Sequence, residues 1–389
     1  MSAAQMRICM IVSNDMTRDS RVDRHATALG MAGHQVNVLC RASTMDQTRH
    51  ERRPHYEITR YYERLVEREK LRARHERIVM SNVRNAARAG LLSIPARLCL
   101  YAFALGMRGQ VYYCNDLDSL DVGLVAKFLA RKKLVYDAHE ISVEMLPPGS
   151  RRELAAFFEK LFVNFADVLI TVNPFLAREL HRRYNIRKEI HVVLNCPNAP
   201  LKPPKPKVQS DTVTVLYHGW LHLDRGLENL VLAAQYFRNN LRLIIRGEGK
   251  LENELKQLAL NLPKVSFERS VPMSETLQAA AMADIGVIPY LARNINHYYS
   301  SPNKLFEYIQ AGLAVVTSDL PFLRQFVTGN HVGVVFDPND PSDIARKINF
   351  VSLRRNLMKF KRQVRIISQH YCWQEERNQL YTAIRVVQT

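Results

Sequence analysis

Short apolar runs alternate along most of the chain with longer segments whose apolar residues recur every three or four positions. Arg7–Val12 reads as a strand, Ser20–Ala32 as a helix capped by Ser20 with Val22, Ala26 and Leu29 on one face, and Gln35–Cys40 as the next strand. Further on, strands are predicted at Val111–Cys114, Leu134–Asp137, Val168–Val172 and Ile190–Leu194, with helices at Leu120–Ala130, Arg152–Phe165 and Pro174–Tyr184. A second series places strands at Val213–Tyr217, Leu241–Arg246, Val265–Glu268, Ile285–Pro289, Ala314–Thr317 and Val332–Phe336. Helices at Gly226–Phe237, Leu251–Leu260, Ser274–Ala283 and Pro341–Ile348 fall among them, and Arg354–Thr389 reads as terminal helices broken near His370–Trp373. Repeated βα units predict an α/β fold with parallel sheets and ligands at the carboxyl ends of the strands.

Two stretches interrupt the rhythm. Pro197–Lys207 holds five prolines in ten positions, a semi-rigid linker that predicts a domain boundary near residue 200. Tyr56–Ala89 is helical in composition and heavily charged, and Ala86–Met107 turns apolar around Pro95. Ile78, Val79, Val83, Ala86, Ala87, Leu91 and Leu92 form a stripe flanked by Arg77, Arg84 and Arg88. That pattern fits a basic amphipathic helix on an anionic membrane, and equally a domain helix with solvated arginines.

At 389 residues the chain is long for one core, which favours two domains. Its 47% apolar and 24% charged content is that of a globular protein. Six scattered cysteines, with no C-x-x-C, point to a reducing, cytoplasmic setting and away from a zinc site or disulfide framework. No signal-like segment opens the sequence, and the nearest thing to a membrane span, Leu98–Met107, is ten residues long. A net charge of +18 favours anionic partners: nucleic acid, acidic lipid, or phosphorylated small molecules. Between Arg41 and Arg108, fifteen Arg/Lys stand against seven Asp/Glu, so the excess is concentrated there.

The densest chemistry lies in Ser300–Pro321. Ser300 or Ser301 can cap a helix, Pro302 suits its first turn, and Gly312 suits the left-handed position that ends it. Leu305 and Ile309 face the core, while Asn303, Lys304 and Glu307 share another face near the helix N-terminus. A positive helix end beside a lysine suits phosphate, and a carboxylate one turn further in suits sugar hydroxyls. The spacing also fits a surface Lys304–Glu307 pair. Upstream, Tyr217-His218-Gly219-Trp220 followed by Arg225-Gly226 gives a strand, a turn open to close ligand approach, and an arginine able to fork a phosphate. Arg246-Gly247-Glu248-Gly249 supplies a second such turn. Tyr136-Asp137-Ala138-His139-Glu140 ends a first-domain strand, where His139 can bond a sugar hydroxyl or serve as a structural histidine. Asn115-Asp116-Leu117-Asp118 contains a D-x-D, discounted as a metal site because nothing around it forms a cage.

Taken in order, these segments resemble a retaining glycosyltransferase of glycosyltransferase family 4. They include Asp19–Val22, Asn115–Asp118, Asp137–Glu140, Leu194–Asn198, His218-Gly219, Arg225–Leu227, Arg246–Gly249 and Pro302–Gly312. Trp373–Tyr381 is similar to that family's last helix. The resemblance implies the GT-B fold: two doubly wound Rossmann-like domains facing across a cleft, with the C-terminal helix crossing back to the first. Residues 1–200 with 371–389 would form the acceptor domain, and 201–370 the domain for a nucleotide-sugar donor.

By this resemblance His139, Arg225 and Lys304 carry catalysis, and Gly219, Glu248, Ser301, Asn303 and Glu307 hold the donor, with Glu307 on the ribose. Asp15, Arg21 and Asp116 are the acceptor candidates. No cofactor or metal is expected, and the acceptor is a hydroxyl compound, in one reading phosphorylated or lipid-linked, handled at the inner face of the membrane. Two positions depart from the family pattern: Tyr299 stands where a glutamate is usual, and Trp220 where an arginine is usual. Other readings are a nucleotide-sugar epimerase of the same fold, a basic nucleic-acid-binding protein, and a donor-binding subunit without activity. No helix–turn–helix or aromatic-rich basic stretch supports the nucleic-acid reading.

Overall fold

A computed structural model describes residues 5–17, 19–44, 47–61, 94–146, 149–200 and 211–388. The chain divides into two compact units, one of Met1–Thr171, Glu179–Val192 and Gln379–Thr389, the other of Val172–Arg178 and Val193–Asn378. Each is an α/β unit built on one sheet.

The first unit contains strands β1 (Arg7–Ile11), β2 (Gln35–Arg41), β3 (His50–Arg52), β4 (Glu57–Tyr61), β5 (Val111–Asn115), β6 (Lys133–Ala138), β7 (Val168–Thr171) and β8 (Ile190–Val192). They are ordered β3-β4-β2-β1-β5-β6-β7-β8, parallel except for the β3–β4 edge pair. Helices α1 (Ser20–Met31), α2 (Ile94–Gly106), α3 (Leu117–Ala130) and α4 (Ser150–Phe165) connect them, and α5 (Pro174–Tyr184) gives residues to both units. The order reverses between β1 and β5, so the crevice at their carboxyl ends is the natural ligand position.

The second unit orders β9 (Val213–His218), β10 (Leu241–Arg246), β11 (Val265–Glu268), β12 (Ile285–Ile288), β13 (Ala314–Ser318) and β14 (Gly333–Phe336) as β11-β10-β9-β12-β13-β14, all parallel. Its helices are α6 (Leu227–Ala233), α7 (Glu252–Leu258), α8 (Thr276–Ala280), α9 (Ile295–Tyr298), α10 (Asn303–Ala311), α11 (Pro321–Gly329), α12 (Pro341–Ser352) and α13 (Arg354–Ile367); α14 (Trp373–Arg385) gives residues to both units. Ala314 and Val316 of β13 join one core cluster and Val315 the other. Both faces of the sheet are therefore covered, which is why its strands read as unbroken apolar runs. Here the switch point lies between β9 and β12.

Two expectations are corrected. Glu57–Tyr61 is not the start of a helix but a strand, β4, paired in parallel with β2. Its Arg60 is buried because Glu51 Oε2 and the Thr48 carbonyl take the guanidinium at 2.7 and 2.9 Å. Helix α1 is capped by Asp19, whose Oδ1 accepts from the Val22 amide at 3.0 Å, and not by Ser20. Helix α11, led by Pro321, has no counterpart in the sequence reading. The basic stripe over residues 78–92 and the linker positions 201–207 lie outside the described residues.

Candidate active site

In the first unit, Asp137 at the end of β6 is fully buried and organises its surroundings. Its carboxylate accepts from Arg21 Nε at 3.0 Å, Arg21 Nη2 at 2.8 Å and Tyr113 Oη at 2.9 Å. His25 Nδ1 lies 3.4 Å away and His139 Nε2 3.5 Å away. Burial alone would raise the Asp137 carboxyl, but Arg21 and then His139 hold it well below the usual carboxylate range. His25 is itself buried, and burial together with Arg21 keeps it well below its ordinary value and so neutral.

His139 sits between two carboxylates. Its Nδ1 is 3.1 Å from Asp116 Oδ2, and its backbone N–H donates to Asp116 Oδ1 at 3.1 Å. Asp116 itself adopts φ 60°, a left-handed conformation costly for a residue with a side chain, and its amide donates to the Asp137 carbonyl at 3.0 Å. Burial opposes charge on His139, yet Asp116 and Asp137 outweigh it and push the imidazole up to about 10. At neutral pH it is an imidazolium with both nitrogens able to donate.

Because the folded value exceeds the ordinary 6.5, the stability His139 contributes is complete below about 6.5 and is lost as pH rises through about 10. The unfolding free-energy gap between wild type and His139→Gln should therefore shrink from pH 6.5 to 10, by up to about 1.4 kcal/mol per unit. Urea unfolding across that range checks it, and taking the difference removes other titrating groups. A constant gap would mean an uncharged imidazole.

The three acceptor candidates are thus placed unequally. Arg21 is buried and committed to Asp137, and Asp116 is committed to His139, so each is joined to the His139 cluster. Asp15 ties its own loop, accepting from the Thr17 amide at 3.0 Å and Gln47 Nε2 at 3.1 Å.

In the second unit, two cations converge on the switch point. Lys304, on the first turn of α10, is buried with its Nζ 3.7 Å from the centroid of the Tyr217 ring and 5.1 Å from that of Tyr290. The Arg225 guanidinium lies 4.2 Å above Tyr290. Among the described residues neither cation has a carboxylate within ion-pair distance. Burial first, then the neighbouring Arg225, pushes the Lys304 ammonium well below its ordinary value. The aromatic faces attract the two charges without neutralising them.

Backbone geometry keeps this corner open. Gly219 has φ 124°, and a Cβ there would stand 3.2 Å from Lys304 Nζ. Gly226 has φ 61°, and its absent Cβ leaves room for the Pro289 carbonyl, which would otherwise be 2.0 Å away. The cap position of α10 is Pro302, with no side-chain hydrogen bond, so the expected capping by Ser300 or Ser301 is corrected. Both serine hydroxyls are instead buried without a partner, beside a helix start whose first amides have no capping side chain. Asn303 begins the helix and is exposed.

Glu307, one turn on, is held by His218 Nε2 at 2.9 Å, and the His218 ring stacks on Tyr308 with centroids 4.8 Å apart. Glu248 is exposed; its carboxylate accepts from Ser270 and its carbonyl from the Leu221 amide, at 2.6 and 3.0 Å. Tyr299 stacks on Phe175 with centroids 6.2 Å apart, and its carbonyl accepts from Asn173 Nδ2 at 2.8 Å. Trp220 is 66% exposed. Among the described residues no three metal-ligating side chains come together, and no helix is long and apolar enough to cross a membrane.

The comparisons bear on both halves. The family model "Glycosyl transferase 4-like domain" matches residues 19–196, and "Glycosyl transferases group 1" matches 212–352. The chain is a glycosyltransferase of the family 4 type. No curated protein matches it by sequence. Among solved structures, sucrose-phosphate synthase from Thermosynechococcus elongatus is 18% identical with a TM-score of 0.72, covering 98% of each chain. HepE from Anabaena, in complex with UDP and glucose, is 16% identical with a TM-score of 0.71, covering 98% of this chain and all of that one. An E. coli structure titled trehalose-6-phosphate, bound with UDP-2-fluoro glucose, is 9% identical with a TM-score of 0.72, covering 98% and 99%. At these identities the structures share the fold, which is GT-B.

Beside the candidate residues of this glycosyltransferase the structure places four that the sequence reading did not assign to the site: Asp137, Tyr217, His218 and Tyr290. The signal was present for three of them. Tyr217-His218 directly precedes Gly219, and Pro289-Tyr290 ends the strand across the switch point.

Proposed function

We propose that the enzyme moves a sugar, with retention of its anomeric configuration, from a nucleoside-diphosphate sugar to a hydroxyl acceptor. The reading rests on one observation above all: Arg225 and Lys304 converge without carboxylate partners beside an uncapped helix start. A buried lysine and a half-buried arginine, with no carboxylate partner among the described residues, are suited to a diphosphate. Glu307, oriented by His218, takes the ribose hydroxyls, and Gly219 and the Ser301–Asn303 amides admit the phosphates. UDP is the first base to try, since matched structures carry UDP or a UDP-sugar.

Tyr299 supplies no carboxylate nucleophile, so the chemistry fits attack from the face the diphosphate leaves. The anomeric carbon–diphosphate bond breaks as the acceptor oxygen bonds the same carbon, and a leaving phosphate oxygen takes the hydroxyl proton. The protein's share is stabilising leaving-group charge and placing the reactants. The family match does not favour the epimerase or nucleic-acid readings.

A thermal-shift panel of UDP-, GDP-, ADP- and dTDP-sugars tests the donor. Ligand at about 100 times its Kd adds about 2.7 kcal/mol, and so a shift of several degrees for one base. No shift with any of the four would overturn the reading. With the donor found, NMR of the product anomer tests retention, and turnover in EDTA tests independence from metal; undiminished turnover is expected.

A further inference from the structure

We propose that the second unit carries a separate binding site for a phosphate-bearing anion, at the edge of its sheet opposite the donor residues. The donor residues follow the carboxyl ends of β9 and β12. At the other edge, where β9 begins at Val213 and Asp284 precedes β12, a cavity of about 1450 Å³ opens. The strands between the two edges run for four to six residues, so the sites are separated by about 13–20 Å. Its wall is α13, whose fourteen residues include six Arg or Lys and no Asp or Glu.

The charge lining this cavity is one-sided. Arg238, Arg354, Arg355, Lys359, Arg362 and Arg365 border it, and the opposing acids are Asp211 and Asp284. Asp284 is already engaged, its Oδ1 by Lys361 Nζ at 3.3 Å and its Oδ2 by the Thr214 amide at 3.0 Å. None of the six bordering cations has an ion pair with a described residue. Nor do they serve the end of α10 that reaches the cavity. There Gln310 Nε2 donates to the Ser368 and Tyr371 carbonyls at 2.6 and 3.0 Å, and Gly312 closes the helix through the Ile309 carbonyl.

The helix is also not arranged for its own stability. Arg354 and Arg355 occupy its first turn, where the dipole disfavours cations, and Arg355–Lys359 and Lys361–Arg365 are like-charged pairs four apart. On a convex surface such cations would be a solvated face. Around a concavity their fields add, and a multiply charged anion removes the mutual repulsion. The volume exceeds that of ordinary small-ligand pockets, which suits a polyphosphorylated compound or a lipid headgroup over a single phosphate.

Full-length protein tests this with two probes, sodium pyrophosphate by calorimetry and phosphatidylglycerol vesicles by co-sedimentation, with phosphatidylcholine vesicles as control. Lys304→Met disables the donor site and serves as background, so that pyrophosphate bound there is not counted. On that background Arg355→Glu with Lys359→Glu should weaken binding at least tenfold. Loss of pyrophosphate binding identifies a soluble phosphorylated ligand. Loss confined to phosphatidylglycerol identifies a headgroup. Binding of neither probe to the Lys304→Met protein, or equal binding with and without the charge reversals, overturns the proposal. Both altered residues are exposed, and circular dichroism checks folding. If the reversal unfolds the protein, Arg362→Gln with Arg365→Gln takes its place under the same criteria.

Discussion

Replacing Lys304 by methionine should raise the melting temperature of the ligand-free enzyme while lowering turnover more than tenfold, a loss above about 1.4 kcal/mol in transition-state stabilisation. Lys304 is 7% exposed and has no carboxylate partner, so the folded protein bears most of its desolvation cost. The rings of Tyr217 and Tyr290 return part of that cost, since a desolvated cation–π contact contributes about 2 kcal/mol. Methionine keeps the length and the ring contacts and removes the charge. The same charge, idle in the free enzyme, is what stabilises a departing diphosphate. Arg225→Ala should lower turnover by a similar factor. Differential scanning fluorimetry and initial rates on the same preparations check both. Near wild-type rates in both variants would sink the diphosphate assignment, and a lowered melting temperature for Lys304→Met would show that the ammonium is satisfied in the fold.

The second large effect is on stability. Asp137→Asn should destabilise the first unit by about 3–5 kcal/mol, because it leaves Arg21 buried without its counterion. Arg21→Ala should cost as much by stranding the carboxylate. The double variant Arg21→Met with Asp137→Asn should recover part of the loss, since no buried charge then remains unpaired. Urea unfolding measures all three, and additive losses would show that the pair is not coupled. Asp137→Asn also removes one of the two carboxylates that keep His139 charged, so its midpoint should fall. The Asp137 carboxyl is depressed in the fold, so its contribution is present above the ordinary carboxylate range and is lost as pH falls through the depressed value.

The sequence by itself determined the two βα series, since strands buried on both faces appear as apolar runs and local periodicity marks the helices between them. It also placed Gly219, Arg225, Lys304, Glu307 and His139 at strand or helix ends, where parallel sheets present ligands. It misread Glu57–Tyr61 because Arg60 looks solvent-seeking until Glu51, nine residues earlier, is seen to neutralise it. The state of each functional group was decided only by tertiary structure. Arg21 and Asp137 are 116 residues apart, and nothing local in the sequence says they meet. By spacing Lys304 suits a phosphate and equally an exposed pair with Glu307, yet folding buries it between two tyrosines from other strand ends and gives Glu307 to His218. Charge state follows from which groups share a desolvated corner. That is a property of packed strand ends, not of spacing along the chain.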